Sequence, residues 1–224
     1  MQAAVRAALA SAAVAPTIDS IIVADPPDAW RAAGFAVDDE DVCCIGTVRI
    51  ELVGPDRGKR IVGWTVREVP DGPLDGLPTT PSDRPPCAPG EHPNGTRTID
   101  HLVVVSPDVD RTVQALSALG IEPRRTRLVD PEQYGFSARQ TFFRMGEVIL
   151  ELIGGEEPTG DGDAAFFGLA YTVADLDATQ KHLGPLLPNV KDAVQPGRRI
   201  GTLRHKELGM SVATAFMSPG ASDV

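Results

Sequence analysis

The feature that most constrains this chain is a strand-forming run that occurs twice, each time with the same surroundings. Ile99-Asp100-His101-Leu102-Val103-Val104-Val105 is rich in β-branched residues, and Ser106-Pro107-Asp108 stops it and opens a helix with an N-cap and an early proline. Ile18-Asp19-Ser20-Ile21-Ile22-Val23 parallels the start of that run, and Asp25-Pro26-Pro27-Asp28 opens a shorter helix ending at Gly34. Farther on, Gly46 to Gly54 answers Gly146 to Gly154 at a constant offset of one hundred, with Gly, Val, Glu, Leu and Gly coinciding. A single strand-helix-sheet unit cannot bury its apolar face alone, so the duplication predicts modules packed against one another.

Within the better-formed copy, Val113, Leu116 and Leu119 space out a short amphipathic helix ending at Gly120. Extended segments follow around Pro123 to Val129, Arg139 to Met145 and Glu147 to Ile153, so the order is strand, helix, three strands. A similar unit runs from Phe167-Gly168-Leu169-Ala170-Tyr171-Thr172-Val173 to Ser211-Val212-Ala213-Thr214-Ala215-Phe216-Met217, its helix reaching from Asp175 to about Leu183. The domain plan is a frayed or disordered leader over 1–17, a degenerate βαβββ-like module over 18–70, a linker over 71–97, and two full modules over 98–155 and 164–219. Ser20 stands where His101 stands in the copy, which leaves Glu51 without an imidazole partner and reads it as a partly exposed or arginine-paired strand residue. Gly63 to Val69 resembles Gly168 to Val173, as though another module began there, with Trp64 in the core. Eight prolines between Pro70 and Gly95 argue against sheet there and for a polyproline linker or an extended arm over the second half.

Side chains alternate along a strand, so His101 shares a face with Val103 and Val105, and Glu151 with Ile149 and Ile153. Two readings of this pair stand side by side: ligands to a divalent ion, or a hydrogen-bonded core pair with no ion. Glu151 also suits a general base, because burial raises a carboxyl pKa toward a useful range. Arg198 and Arg199, in the turn after Gln195-Pro196-Gly197, are candidates to clamp an anionic substrate, or else belong to a solvated turn. His182 and His205 read as solvated surface residues. No Gly-x-Ser-x-Gly elbow, phosphate loop or dinucleotide fingerprint occurs.

The run Ile-Asp-His, the apolar strand, Ser-Pro-Asp, and Arg139-Gln140-Thr141-Phe142-Phe143-Arg144-Met145-Gly146-Glu147-Val148-Ile149-Leu150-Glu151-Leu152 together resemble the vicinal oxygen chelate superfamily of glyoxalases, bleomycin-resistance proteins and extradiol dioxygenases. The resemblance covers roughly the C-terminal half of the chain. It implies an α+β fold of paired βαβββ modules whose curled mixed sheets form a cup, with a metal held by the first and last strands of each module. Carried over position by position, His101 and Glu151 match the first module's ligands, and Gly168 and Ala215 occupy the second module's. The implied cofactor is a divalent ion (Mn, Fe, Ni or Zn) with an incomplete ligand set. The implied activity is that of a metal-assisted lyase, isomerase or dioxygenase acting on a small oxygen-bearing molecule. The alternative is a metal-free protein that binds or sequesters a small molecule, of the bleomycin-resistance type, in which Gly168 and Ala215 leave the cup roomy.

A formal net charge of −10 argues against nucleic acid as a partner and favours a cationic small ligand. Cys43, Cys44 and Cys87 have no metal-ligand or disulfide spacing, which points to a reducing cytoplasm. The alanine-rich stretch Met1 to Ala15 is too weakly apolar for a signal peptide, and no stretch is long enough to span a membrane. Module pairing within the chain or across a homodimer is open, and a second copy could supply ligands in trans.

Overall fold

The computed structural model describes residues 15–70, 74–129 and 137–220. The expected leader falls almost wholly outside these residues. The chain folds as α+β, with two mixed sheets. The first holds β1 (Thr17–Val23), β2 (Val42–Ile45), β3 (Val48–Leu52), β4 (Ile61–Arg67) and β5 (Thr79–Ser82) in the order β2-β3-β1-β4-β5, with the short helix α1 (Pro27–Ala32) between β1 and β2. The second holds β6 (Thr96–Val105), β7 (Pro123–Val129), β8 (Ala138–Met145), β9 (Val148–Gly155), β10 (Ala165–Val173), β11 (Val190–Asp192), β12 (Arg199–Thr202) and β13 (Ala213–Met217), in the order β11-β12-β13-β10-β6-β9-β8-β7. Helices α2 (Val109–Ala118) and α3 (Leu176–Leu183) follow β6 and β10. Asp108 and Asp175 cap them, each side chain accepting from backbone N–H groups of the first turn.

The duplication seen in the sequence extends to strand pairing. β1 runs parallel to β3 and antiparallel to β4, as β6 runs parallel to β9 and antiparallel to β10. β4 then pairs in parallel with β5, as β10 does with β13. The turns at Gly46 and Gly146 both need positive φ (59° and 70°), which explains a glycine at that place in both copies. Each half also has the same irregularity. Ile18 and Ser20 pair with consecutive residues of β4, and Ile99 and His101 with consecutive residues of β10, so Asp19 and Asp100 are the extra residues of two equivalent β-bulges.

The proline-rich stretch departs from expectation in two ways. Thr79–Ser82 is a strand, tolerated because an edge position leaves the missing N–H of Pro81 without a required acceptor. The segment also crosses the first sheet, while Asp75 within it receives Arg111 and the backbone N–H of Ala164 from the second half. Cys87 and Gly90 donate backbone N–H groups to Thr47 and Cys44, and Pro85 and Arg84 carbonyls accept from Arg49 and Arg67. What pins it is Asp19, fully buried, which receives Arg49, Arg67, Ser82 and Arg84. Burial pushes this carboxyl up, but hydrogen bonds from Ser82, Arg84 and Thr65 and the Arg67 charge outweigh it and hold the pKa below its ordinary value. Arg84 also reaches Glu51 at 2.6 Å, so Glu51 is paired with an arginine.

One core joins the sheets. Phe35 stacks against Phe216 and meets Tyr171 at a tilt, and Trp64 meets Phe166 edge-on. Phe143 and Phe216 are almost fully buried, and each such side chain contributes roughly 1.5–3 kcal/mol. The core-facing residues of β6 and β9 leave His101, Val103, Ile149 and Glu151 on the opposite face. Among the described residues no helix is long and apolar enough to cross a membrane.

Substituting Asp19→Asn should destabilise the protein by about 3 kcal/mol, because three guanidinium groups then crowd without a counter-charge. Urea unfolding measures this, and a loss below ~1 kcal/mol would show that the cluster contributes little.

Candidate functional site

The site lies on the exposed face of the second sheet, where β6, β8 and β9 meet the strands of the following module. Its cavity of about 250 Å³ is lined by His101, Glu151, Gln140, Arg127, Phe142 and Lys191, with Ile149, Ile200 and Met217 among its apolar walls. His101 and Glu151, separated by 50 positions in the chain, are brought together by the parallel pairing of β6 with β9. Nε2 of His101 stands 3.5 Å from Oε2 of Glu151.

Each end of this pair is held. The bulge at Asp100 turns its carboxylate beside His101, and Oδ1 accepts from Nδ1 at 2.8 Å, which sets the tautomer and points the other ring nitrogen at Glu151. The second oxygen of Asp100 receives Arg198 at 2.6 Å and the Thr172 hydroxyl at 3.0 Å. At the far end, the Gln140 amide donates to Oε1 of Glu151 at 2.7 Å, and Arg127 donates to the Gln140 carbonyl oxygen at 2.6 Å. Arg127 in turn lies over the Phe142 ring, 5.4 Å from its centroid. A line of contacts thus runs Arg198, Asp100, His101, Glu151, Gln140, Arg127.

Environment drives the two carboxyls apart. Burial alone would raise Asp100, but the His101 hydrogen bond and the His101 and Arg198 charges outweigh it and hold the carboxyl at about 2. For Glu151 burial prevails over the opposing charges of His101 and Arg127, and its pKa is raised. With Nδ1–H committed to Asp100, Nε2 and the carboxylate are both acceptors, and a close approach of two acceptors requires a proton or cation between them.

A resident metal ion does not fit the donors present. Nε2 and Oε2 are spaced as two neighbouring ligands of one ion could be. Gly168 and Ala215, however, offer no side-chain donor atom, and a Cβ built on Gly168 would fall 2.5 Å from the Ala213 carbonyl oxygen, so a ligating side chain has no room at that position. Among the described residues no cluster of three or more His, Cys, Asp or Glu side chains surrounds a common point.

Of the two arginines singled out in the sequence, Arg198 lines an adjoining cavity with its guanidinium committed to Asp100, Thr172 and the Ser218 carbonyl. Arg199 turns toward α3, where it pairs with Asp177 at 2.8 Å. His182 lies on α3 and His205 in a single turn after β12. Sequence reasoning did not single out Asp100, Gln140 or Arg127. The recurrence of aspartate before Ser20 and before His101 is the signal that could have marked Asp100, and the alternation of Gln140 with Phe142 the one for Gln140.

Because folding lowers the Asp100 pKa from 3.8 to about 2, its contribution is present above the unfolded value and lost as pH falls through the folded one. Unfolding free energy should therefore drop by roughly 2 kcal/mol on this account between about pH 4 and pH 2. Asp100→Asn should be less stable at neutral pH and lose that part of the slope in urea titrations across the range.

Residues 100–184 match the profile of the Glyoxalase/Bleomycin resistance protein/Dioxygenase superfamily. No curated protein sequence matches the chain. Similar solved structures include methylmalonyl-CoA epimerase from Mycobacterium tuberculosis, at 16% identity over 57% of this chain and 91% of that one, with a TM-score of 0.45. They also include a Streptomyces coelicolor methylmalonyl-CoA epimerase in complex with 2-nitronate-propionyl-CoA, at 23% identity over 56% and 96%, with the same TM-score. The stretch that supplies Asp100, His101, Gln140 and Glu151 falls inside the matched profile, so the part of the chain that carries the site is similar to the Glyoxalase/Bleomycin resistance protein/Dioxygenase superfamily.

Proposed function

We propose that Asp100, His101 and Glu151 form a proton-transfer unit of the isomerase or lyase type, acting on a small molecule with a proton next to a carbonyl. The observation that carries this reading is the 3.5 Å approach of Nε2 to Oε2, with the outer atoms of both groups held by Asp100 and Gln140. A pair of acceptors fixed in this way shares one exchangeable proton. Glu151, raised by burial, is the base. It takes the proton as the C–H bond breaks and the electron pair moves onto the carbonyl oxygen, and His101 returns a proton to the carbon skeleton. Asp100 stays ionised, keeps the ring in one tautomer and stabilises the imidazolium when it forms. Arg127 and Lys191, both lining the cavity, supply positive charge for the developing oxyanion.

A divalent ion of manganese, iron, nickel or zinc would meet only Nε2 and Oε2, so binding would be weak and no proton-transfer step requires it. The unpaired cysteines Cys43, Cys44 and Cys87 fit a reducing compartment, which supports a cytoplasmic location. The second reading, a non-catalytic binding protein, draws on a further cavity of about 160 Å³ beside His101 whose walls include Gly168, Ala170, Ala213 and Ala215. Under that reading the small residues make room for a ligand and the proton is idle.

Deuterium wash-in from D₂O, followed by NMR across a panel of 2-oxo acids, 3-oxo acids and hydroxyaldehydes, separates the two. Glu151→Gln should slow exchange about 10²–10⁴-fold, and His101→Ala should do so comparably. The acidic limb of the wild-type rate should lie above the ordinary glutamate range, since the ionised base accumulates only as pH rises through a raised pKa. Exchange that is undetectable with wild type throughout the panel, or equal in Glu151→Gln, would favour the binding protein. In a separate measurement, protein equilibrated with Mn²⁺ or Zn²⁺ should retain no stoichiometric metal after gel filtration, and retention abolished by His101→Ala would restore the metal-dependent reading.

A further inference from the structure

We infer that an arginine-lined groove beside the site holds the phosphoryl end of an elongated substrate. This deepens the proton-transfer reading and rests on it for the reaction, though not for the binding. The groove, about 420 Å³, is lined by Arg124, Arg125, Arg127 and Arg144 over an apolar floor that includes Phe142 and Ile149. It shares Arg127, Phe142, Ile149 and Gln195 with the cavity of His101 and Glu151, so the two spaces adjoin.

Backbone geometry gathers these charges. Pro123 pairs with Phe143 and Arg125 with Phe142, which makes Arg124 the extra residue of a bulge in β7 and lets two consecutive arginines line one groove. Arg144 comes from β8. Nine other arginines, Arg31, Arg49, Arg67, Arg84, Arg111, Arg139, Arg198, Arg199 and Arg204, are each ion-paired to a carboxylate. Among the described residues Arg124, Arg125 and Arg144 make no such pair. In a chain of net charge −10, acidic partners are abundant, so guanidinium groups gathered without one mark a place where the counter-charge comes from outside.

The chemistry of that counter-charge follows from the donors. A guanidinium presents a planar fork that matches phosphate oxygens two at a time, and several around one groove exceed what a single carboxylate can accept. The apolar floor suits the carbon segment between the phosphoryl group and the reacting carbon. A phosphomonoester and a diphosphate share this chemistry.

Calorimetric titration of the full chain with pyrophosphate and with inorganic phosphate tests the assignment and ranks the two sources. Wild type should bind pyrophosphate saturably, with affinity falling as salt rises. Arg124→Ala combined with Arg125→Ala should weaken binding about tenfold or more, and Arg144→Ala should weaken it in the same direction. The double lysine variant, Arg124→Lys with Arg125→Lys, should recover part of the loss, which a misfolded groove would not allow. Tighter binding of inorganic phosphate than of pyrophosphate would point to a monoester, and the reverse to a diphosphate. Absence of saturable binding by wild type, equal binding by the double alanine variant, or tighter binding of a single-stranded oligonucleotide would each overturn the proposal. Glu151→Gln should leave pyrophosphate affinity unchanged. Loss of the groove assignment would therefore leave the exchange experiment on unphosphorylated acids intact, and failure of exchange would leave the groove intact.

Discussion

The structure depends on a carboxylate seated at a β-bulge in the central strand of each half. Strict alternation would send Asp19 and Asp100 to the opposite side of their strands from Ser20 and His101. One extra residue against the antiparallel neighbour re-aims each carboxylate, which must then find partners because a buried charge without them is costly. The two halves answer that demand differently. Asp19 is neutralised by Arg49, Arg67 and Arg84, which draws the proline-rich segment across the first sheet and places Arg84 on Glu51. Asp100 is shared between Arg198 and the ring of His101, which leaves one imidazole nitrogen facing Glu151. The same backbone device therefore closes one sheet face with the chain's own cations and sets an imidazole against a carboxyl on the other.

Electrostatics divides the labour at the second face. A carboxyl held at about 2 and another raised by burial lie on either side of one imidazole, so the ring has a permanent anion behind it and a titrating group in front. Separation of two pKa values by environment is how acid and base roles are assigned within one small site. The cavity walls are mainly side chains on strands, and the polar groups among them are tied to one another rather than to bulk solvent, which preorganises them. Net charge and local charge point in different directions here. A chain of −10 suggests a cationic guest, whereas arginines surround the approach to His101 and Glu151. Global charge is a sum over the surface, and a ligand responds to the field within about a Debye length of its own site.

Much of this was legible from residue order. β-branched runs, Asp-capped helices, turn glycines and the repeated Ile-Asp-(His or Ser) segment locate β1, β3, β6, β9, β10, α2 and α3, and strand alternation groups His101 with Val103 and Glu151 with Ile149. Local signals carry that information because strand and helix periodicities are short-range properties of the backbone. The strand at Thr79–Ser82 was not legible, since its prolines argue against sheet wherever a strand has neighbours on both sides and only its edge position relaxes the rule.

What the sequence by itself determined is the repeated strand-helix-sheet pattern, the superfamily resemblance and the two residues that face each other at the site. Only the tertiary structure decided the rest. The bulges that aim Asp19, Asp100 and Arg124, the fate of Arg198 as a partner of Asp100 and of Arg199 as a partner of Asp177, and the merging of β7 and β8 arginines into one groove all depend on register between strands. Register is set by pairing with residues distant along the chain, and a shift of one residue moves every side chain to the other face, so no short window of sequence contains it.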